Sequence, residues 1–223
     1  MTIRTSIALA VLAALASTGT VLAAAPPLSI GPAGPDVVAA YHLRFAGTFW
    51  NGAAKKYDHD ITLTGTAGTG VRAVVDKGET QQRVEYTATR NADGTLDPSN
   101  PAEQLGAYNT AARLVSAAVP PFAVGTQFDA KIPVPLIDGS NVDVPVRAHV
   151  VSIGGDRVVI QATGTRGATM TYNGFTVPLE FTVALASSFG GGKFERLDYT
   201  VDEIVHAGPQ TQTMHWTASL EAR

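Results

Sequence analysis

From Phe175 to Leu185 the chain alternates without a break. Phe175, Val177, Leu179, Phe181, Val183 and Leu185 fall on one side, and Thr176, Glu180 and Thr182 on the other. A period of two over this length marks a β-strand with one buried face, because successive side chains of an extended backbone point in opposite directions. The same rhythm returns with Met214, Trp216, Ala218 and Leu220, with Leu197, Tyr199 and Val201, and with Val142, Val144, Val146, Ala148 and Val150. In the first half, Tyr41, Leu43, Phe45 and Phe49 oppose His42, Arg44 and Thr48, and Val84, Tyr86 and Ala88 oppose Arg83, Glu85 and Thr87. One apolar face per strand favours antiparallel pairing over a parallel sheet buried on both sides.

Turn chemistry separates the runs: Asn51-Gly52, Lys77-Gly78, Asp93-Gly94, Asp138-Gly139, Gly154-Gly155, Asn173-Gly174 and Gly190-Gly191-Gly192. Such pairs supply the positive φ of tight hairpins, so strands adjacent in sequence should be adjacent in space. The expected fold is mainly β: an antiparallel barrel or strongly curved sheet of about ten strands, with one mid-chain α-helix packed against it.

That helix is predicted over about 101–119. Asn100 stands as N-cap, Pro101 at the first helical position and Glu103 where it closes a capping box. Leu105, Tyr108, Ala112, Val115 and Val119 then define an apolar stripe, and Pro120-Pro121 ends it. A single helix in such a chain serves best as a cover for an open end or an unpaired edge of the sheet.

The N-terminus carries one charge at Arg4, an apolar run from Ile7 to Ala16, and small residues at Ala23, Ala24 and Ala25. This is the layout of a secretory signal peptide, predicted over 1–23 with cleavage after Ala23 or Ala24. The run is shorter than the ~20 residues of a membrane-spanning helix, and no later stretch reaches that length. Residues 24–36, rich in Pro and Gly, read as a flexible leader, and 37–223 as a single β-rich domain. Zero cysteines exclude thiol catalysis, disulfides and thiolate metal sites, and suit a bacterial periplasm or the exterior. A net charge of −3 argues against nucleic acid and against polybasic contact with a membrane. An outer-membrane barrel would carry aromatic girdles, whereas this chain has 7% aromatics and ends Glu221-Ala222-Arg223.

No motif points to a cofactor or to a hydrolase: G-x-S-x-G, S-x-x-K and H-E-x-x-H are all missing from the sequence. Gly190-Gly191-Gly192-Lys193 is followed by Phe194 and reads as a glycine turn rather than a phosphate loop. In Asp58-His59-Asp60 a strand sends the two carboxylates one way and the imidazole the other, so the trio reads as strand rather than as a metal site. His42, His149 and His215 sit on polar strand faces, and a dispersed histidine-based enzyme site would have to be assembled from them. Arg196 to Glu203 reads as one solvated face with cross-strand charge pairs.

Leu179, Phe181, Leu197, Tyr199, Met214 and Trp216 share the apolar faces of three consecutive predicted strands. They are the candidate ligand-binding residues, for a lipid or other apolar small molecule held between sheet and helix. The other two readings are a cell-envelope interaction module with a solid core and the histidine enzyme; of the three, a non-enzymatic binding protein fits the pattern best.

Phe45-Ala46-Gly47-Thr48-Phe49-Trp50 resembles the opening motif of the lipocalins, Gly-x-Trp, with Phe49 at the tryptophan position and Trp50 one residue later. The lipocalin helix follows the last strand, whereas here it lies mid-chain. The organisation of the whole chain is similar to exported bacterial β-rich proteins of unknown function. It also resembles the periplasmic unclosed-barrel carriers of lipids and lipoproteins, whose helices plug a curved sheet. That resemblance implies carriage of an apolar ligand.

Overall fold

A computed structural model describes residues 27–48, 52–99, 103–136, 141–172, 174–207 and 210–223. The predicted signal peptide, Phe49-Trp50, the Asn100-Pro101 cap and the Asp138-Gly139 turn lie outside the described residues. Eleven strands form one antiparallel sheet: β1 (Val38–Thr48), β2 (Ala54–Gly65), β3 (Gly70–Lys77), β4 (Gln82–Arg90), β5 (Leu96–Pro98), β6 (Gln127–Pro135), β7 (Asn141–Gly154), β8 (Arg157–Tyr172), β9 (Phe175–Gly190), β10 (Lys193–Ala207) and β11 (Gln210–Ala222). Their spatial order is β5-β4-β3-β2-β1-β11-β10-β9-β8-β7-β6. Two meanders, β1–β5 and β6–β11, are therefore joined where the first strand meets the last, from Tyr41 opposite Ala222 to Thr48 opposite His215.

β5 and β6 are the two edges of this sheet and do not pair, so the sheet is not closed by hydrogen bonds. Laid flat, ten interstrand spacings of ~4.8 Å would hold them roughly 48 Å apart. One helix nevertheless touches both. α1 (Gly106–Ala117), entered through a 3-10 turn at Glu103–Leu105, packs along β6 and reaches β10 and β11. Its Asn109 side chain accepts from the Leu96 N–H at 2.7 Å and donates to the Leu96 carbonyl at 2.9 Å, as a neighbouring strand would. A helix is only ~10–12 Å across, so the sheet must curl to bring both edges to it.

The helix is shorter than predicted and has no side-chain cap at Leu105. Glu103 lies in the 3-10 turn, and the stripe fails at Val119, which is 73% exposed. Ala107, Thr110, Ala111 and Leu114 are buried along with Tyr108 and Ala112. An element enclosed by a curled sheet buries most of its circumference rather than one stripe.

The strand alternation sorts the side chains by face. Leu43, Ile61, Leu63, Ile132, Val144, Ile160, Val183 and Leu220 line the concave interior, all nearly inaccessible. The convex face carries ion pairs such as Arg72–Glu85 and Arg196–Asp198, at 2.5 and 2.8 Å. The β9–β10 turn is made by Gly191 and Gly192 at φ 58° and 78°, the tight glycine hairpin expected from the sequence.

The Pro/Gly-rich segment expected to be a flexible leader is stitched to the domain over its described part. Ser29 accepts from Phe194 N–H and donates its own N–H to Gly192, and Leu28 and Ile30 pack against the core. Gly31 donates to the Tyr41 hydroxyl at 2.9 Å. Its φ of 82° and the Tyr108 hydroxyl, 2.2 Å from where a Cβ would stand, leave room for no other residue.

Asn109→Ala removes both bonds to the β5 edge and leaves Leu96 backbone groups unpaired. At about 0.5–1.5 kcal/mol for each bond, the variant should lose roughly 1–3 kcal/mol in urea unfolding, and the Leu96 amide should exchange hydrogen faster.

Candidate functional site

The six predicted ligand-binding residues do share the concave face, on β9, β10 and β11. Phe181 and Met214 both oppose Glu203, Trp216 opposes Val201, Leu197 opposes Leu220, and Leu179 opposes Val205. Leu179, Phe181, Leu197, Tyr199 and Met214 are buried, and Trp216 is half-buried. The Tyr199 hydroxyl lies toward Thr110 of the helix, though neither oxygen finds a partner of hydrogen-bonding geometry. Burial pushes the Tyr199 phenol well above its ordinary value, so it stays neutral.

What remains open on this face is an aromatic shelf that crosses the junction of the two meanders. Tyr57 on β2 stacks on Phe45 of β1, with ring centroids 4.7 Å apart and planes 8° from parallel. Phe45 lies 5.7 Å from Trp216, and Trp216 meets Tyr199 edge-on at 5.0 Å. Tyr57, Phe45 and Trp216 are each only partly buried. Gly47 makes the shelf possible: a Cβ there would stand 2.7 Å from the Trp216 Cβ and 3.1 Å from the Phe45 ring. Stacked and edge-to-face rings hold one another in place, and Tyr57 also stacks on His59 at 4.5 Å with the Lys55 ammonium 5.4 Å from its ring centroid.

Glu203 is the unexpected member. It belongs not to a solvated face, as read from the sequence, but to the concave face, two residues beyond Val201, and is 4% exposed. Its cross-strand neighbours are Phe181 and Met214, neither of them titratable. Among the described residues no hydrogen bond or ion pair reaches its carboxyl. Burial alone raises its pKa from 4.5 to about 7. Parity was the available signal, since Leu197, Tyr199, Val201 and Glu203 carry odd numbers on one strand; the run of charged neighbours hid it.

The histidines do not converge. His42 on the convex face stands 3.0 Å from Asp58 and 2.8 Å from Asp60, and Arg223 completes the cluster at 2.8 Å from Asp60. The hydrogen bond from His42 holds the Asp60 carboxyl below its ordinary pKa. His215 pairs with Asp202 at 2.7 Å. His42 opposes Glu221, six residues along β11 from His215, or roughly 20 Å at ~3.3 Å per residue. His149 is on β7, four strands away from β11. In Asp58-His59-Asp60 the carboxylates face outward with His42, and His59 is buried, stacked on Tyr57 at 4.5 Å. Among the described residues no three such side chains form a metal-binding group.

Two surface cavities stand out. One of about 230 Å³ is bordered by Asp58, Asp60, Asp76 and Lys77, and the other, of about 140 Å³, by Arg90 and the β2–β3 turn. Neither touches the six candidate residues.

Glu203 binds its proton more tightly folded than unfolded. Between pH 4.5 and about 7 the folded chain therefore holds the extra proton, and stability falls as pH rises through that window. The shift corresponds to about 3 kcal/mol. Glu203→Gln should be relieved of this loss, so its stability advantage over the parent, measured by urea unfolding, should grow by roughly 2–3 kcal/mol between pH 5 and pH 8. An unchanged gap would mean that the carboxylate is ionised and solvated in the folded protein.

No family model, no curated protein and no solved structure matches this chain.

Proposed function

We propose that this chain is an exported, non-enzymatic binding protein for an apolar or amphipathic molecule, held on the concave face of the sheet beside the helix. The observation that carries this reading is the aromatic shelf. In an interior where Leu179, Phe181, Leu197 and Tyr199 are sealed, Tyr57, Phe45 and Trp216 stay partly open. Three large rings left accessible next to a sealed apolar face form a surface on which an acyl chain or a flat apolar molecule gains most by displacing water. The ligand lies on this shelf rather than in a closed void. Binding sites of this kind need few polar groups and no reacting centre.

The protein carries two tryptophans, so Trp50→Phe leaves Trp216 as sole reporter. Palmitate or dodecyl maltoside should shift or quench its emission with saturation near one equivalent, and Phe45→Ala should weaken the effect several-fold. Native mass spectrometry of protein taken from the host envelope should show a copurifying apolar mass. Unmoved emission with both probes, together with a clean apo mass, would favour the solid-core interaction module.

Export makes a separate prediction. The secreted protein should begin at Ala24 or Ala25 on N-terminal sequencing, and a chain that retains Met1 in the cytoplasm would overturn it.

A further inference from the structure

Nine of the ten arginines in the described residues have an oxygen partner. Arg44, Arg72, Arg83, Arg113, Arg147, Arg157, Arg196 and Arg223 each pair with a carboxylate, and Arg166 donates to the Asp143 carbonyl. Arg90 alone among them does not. It ends β4 on the concave side, in step with Val84, Tyr86 and Ala88, and its Nε is buried without a hydrogen-bond partner. A guanidinium offers five donors and no acceptor, and leaving one buried is costly unless something accepts from it.

Arg90 borders the cavity of about 140 Å³ at the end of the sheet, between Gly34 and the turn from Gly65 to Gly70. This space is far larger than the ~10–15 Å³ a single water requires. Four of the carbonyls around it are engaged. Gly34 accepts from Val37, Gly65 from Asp36, Thr69 from Arg90 and Gly70 from Thr66. Among the described residues no hydrogen bond engages the Gly68 and Thr69 amides or the Thr66 and Thr69 hydroxyls, all in an exposed turn. Asp36, the nearest carboxylate in sequence, is exposed and does not line the cavity. A small chamber with two free hydroxyls, two free turn amides and a cation at its wall is matched to a negatively charged occupant.

We propose that this cavity binds a tetrahedral oxyanion of the phosphate class, free or as the head group of an amphipathic ligand. The Arg90 guanidinium supplies the charge, and Thr66, Thr69 and the turn amides supply the remaining hydrogen bonds. Tyr41 and Tyr108, which feel the Arg90 charge, do not neutralise it: burial pushes both phenols up, Tyr108 to about 12. The site is separate from the aromatic shelf, and a free anion would occupy it whether or not an apolar ligand binds.

Isothermal titration of the purified chain at constant ionic strength tests this with three probes: inorganic phosphate, dodecyl phosphate and dodecyl maltoside. Saturable one-site binding of phosphate, weakened at least tenfold by Arg90→Gln and several-fold by Thr69→Val, identifies a free-oxyanion site. Binding of dodecyl phosphate alone, with the same tenfold dependence on Arg90 and none for dodecyl maltoside, identifies a head-group site. Thr69→Val, in a surface turn, keeps the test valid if Arg90→Gln does not fold. Absence of binding by both phosphate probes overturns the proposal, as does binding that ignores both substitutions. Trp216→Phe should leave the phosphate isotherm unchanged, so a failure on the shelf and a failure at Arg90 are told apart.

Discussion

The architecture rests on one helix that satisfies two edges. An open antiparallel sheet of eleven strands exposes a row of unpaired N–H and C=O groups at each margin, and such margins recruit other chains. Here the margins are β5 and β6, and α1 stands against both. Asn109 stands in for a strand by bonding both backbone groups of Leu96, while the body of the helix packs along β6. Because one narrow element meets two edges, the curl, the enclosed core and the burial of the helix on most sides follow together.

The curl also separates two electrostatic regimes. On the convex face charged groups such as Arg147 with Asp129 and Arg196 with Asp198 meet at the water surface, where each exposed pair contributes little. On the concave face an unpaired charge has no such medium. Glu203 accordingly holds its proton to about pH 7, and Arg90 is left facing a chamber of unused donors. A lone acid in the apolar interior and a lone base at one end of the sheet, like buried His59, depart from simple inside–outside sorting. Departures of this kind gather where a protein works rather than where it merely holds together.

Period-two alternation carried most of the fold in advance. It gave the antiparallel pairing and the single apolar face, because most hairpins were signalled locally by a Gly, Asn or Asp, the β2–β3 turn being one that was not read. The helix was legible from its periodicity, but its bounds were not: Leu105, Tyr108 and Ala112 of the stripe are buried, Val119 is not, and enclosure within the curl buries Thr110 and Leu114 as well. The shelf was half visible, since Trp216 and Tyr199 fall in phase on neighbouring strands. That Phe45 and Tyr57 would join them depends on β1 pairing with β11, a contact between opposite ends of the chain that no local signal announces. Arg90 was out of reach for the same reason. Its isolation is defined by which carboxylates the other arginines find in space.

The junction of β1 with β11 has a further consequence. Strands β1 to β5 can pair among themselves as soon as they are made, and β6 to β10 likewise, each with only short hairpin loops to close. The strand that joins them is the last one in the chain. Until Gln210–Ala222 is available the molecule is two separate half-sheets tethered through a helix, each with an additional naked margin. The slow, long-range step is thus placed at the end of synthesis. A ribosome that stops a dozen residues early releases a chain with nearly all of its secondary structure and no continuous sheet.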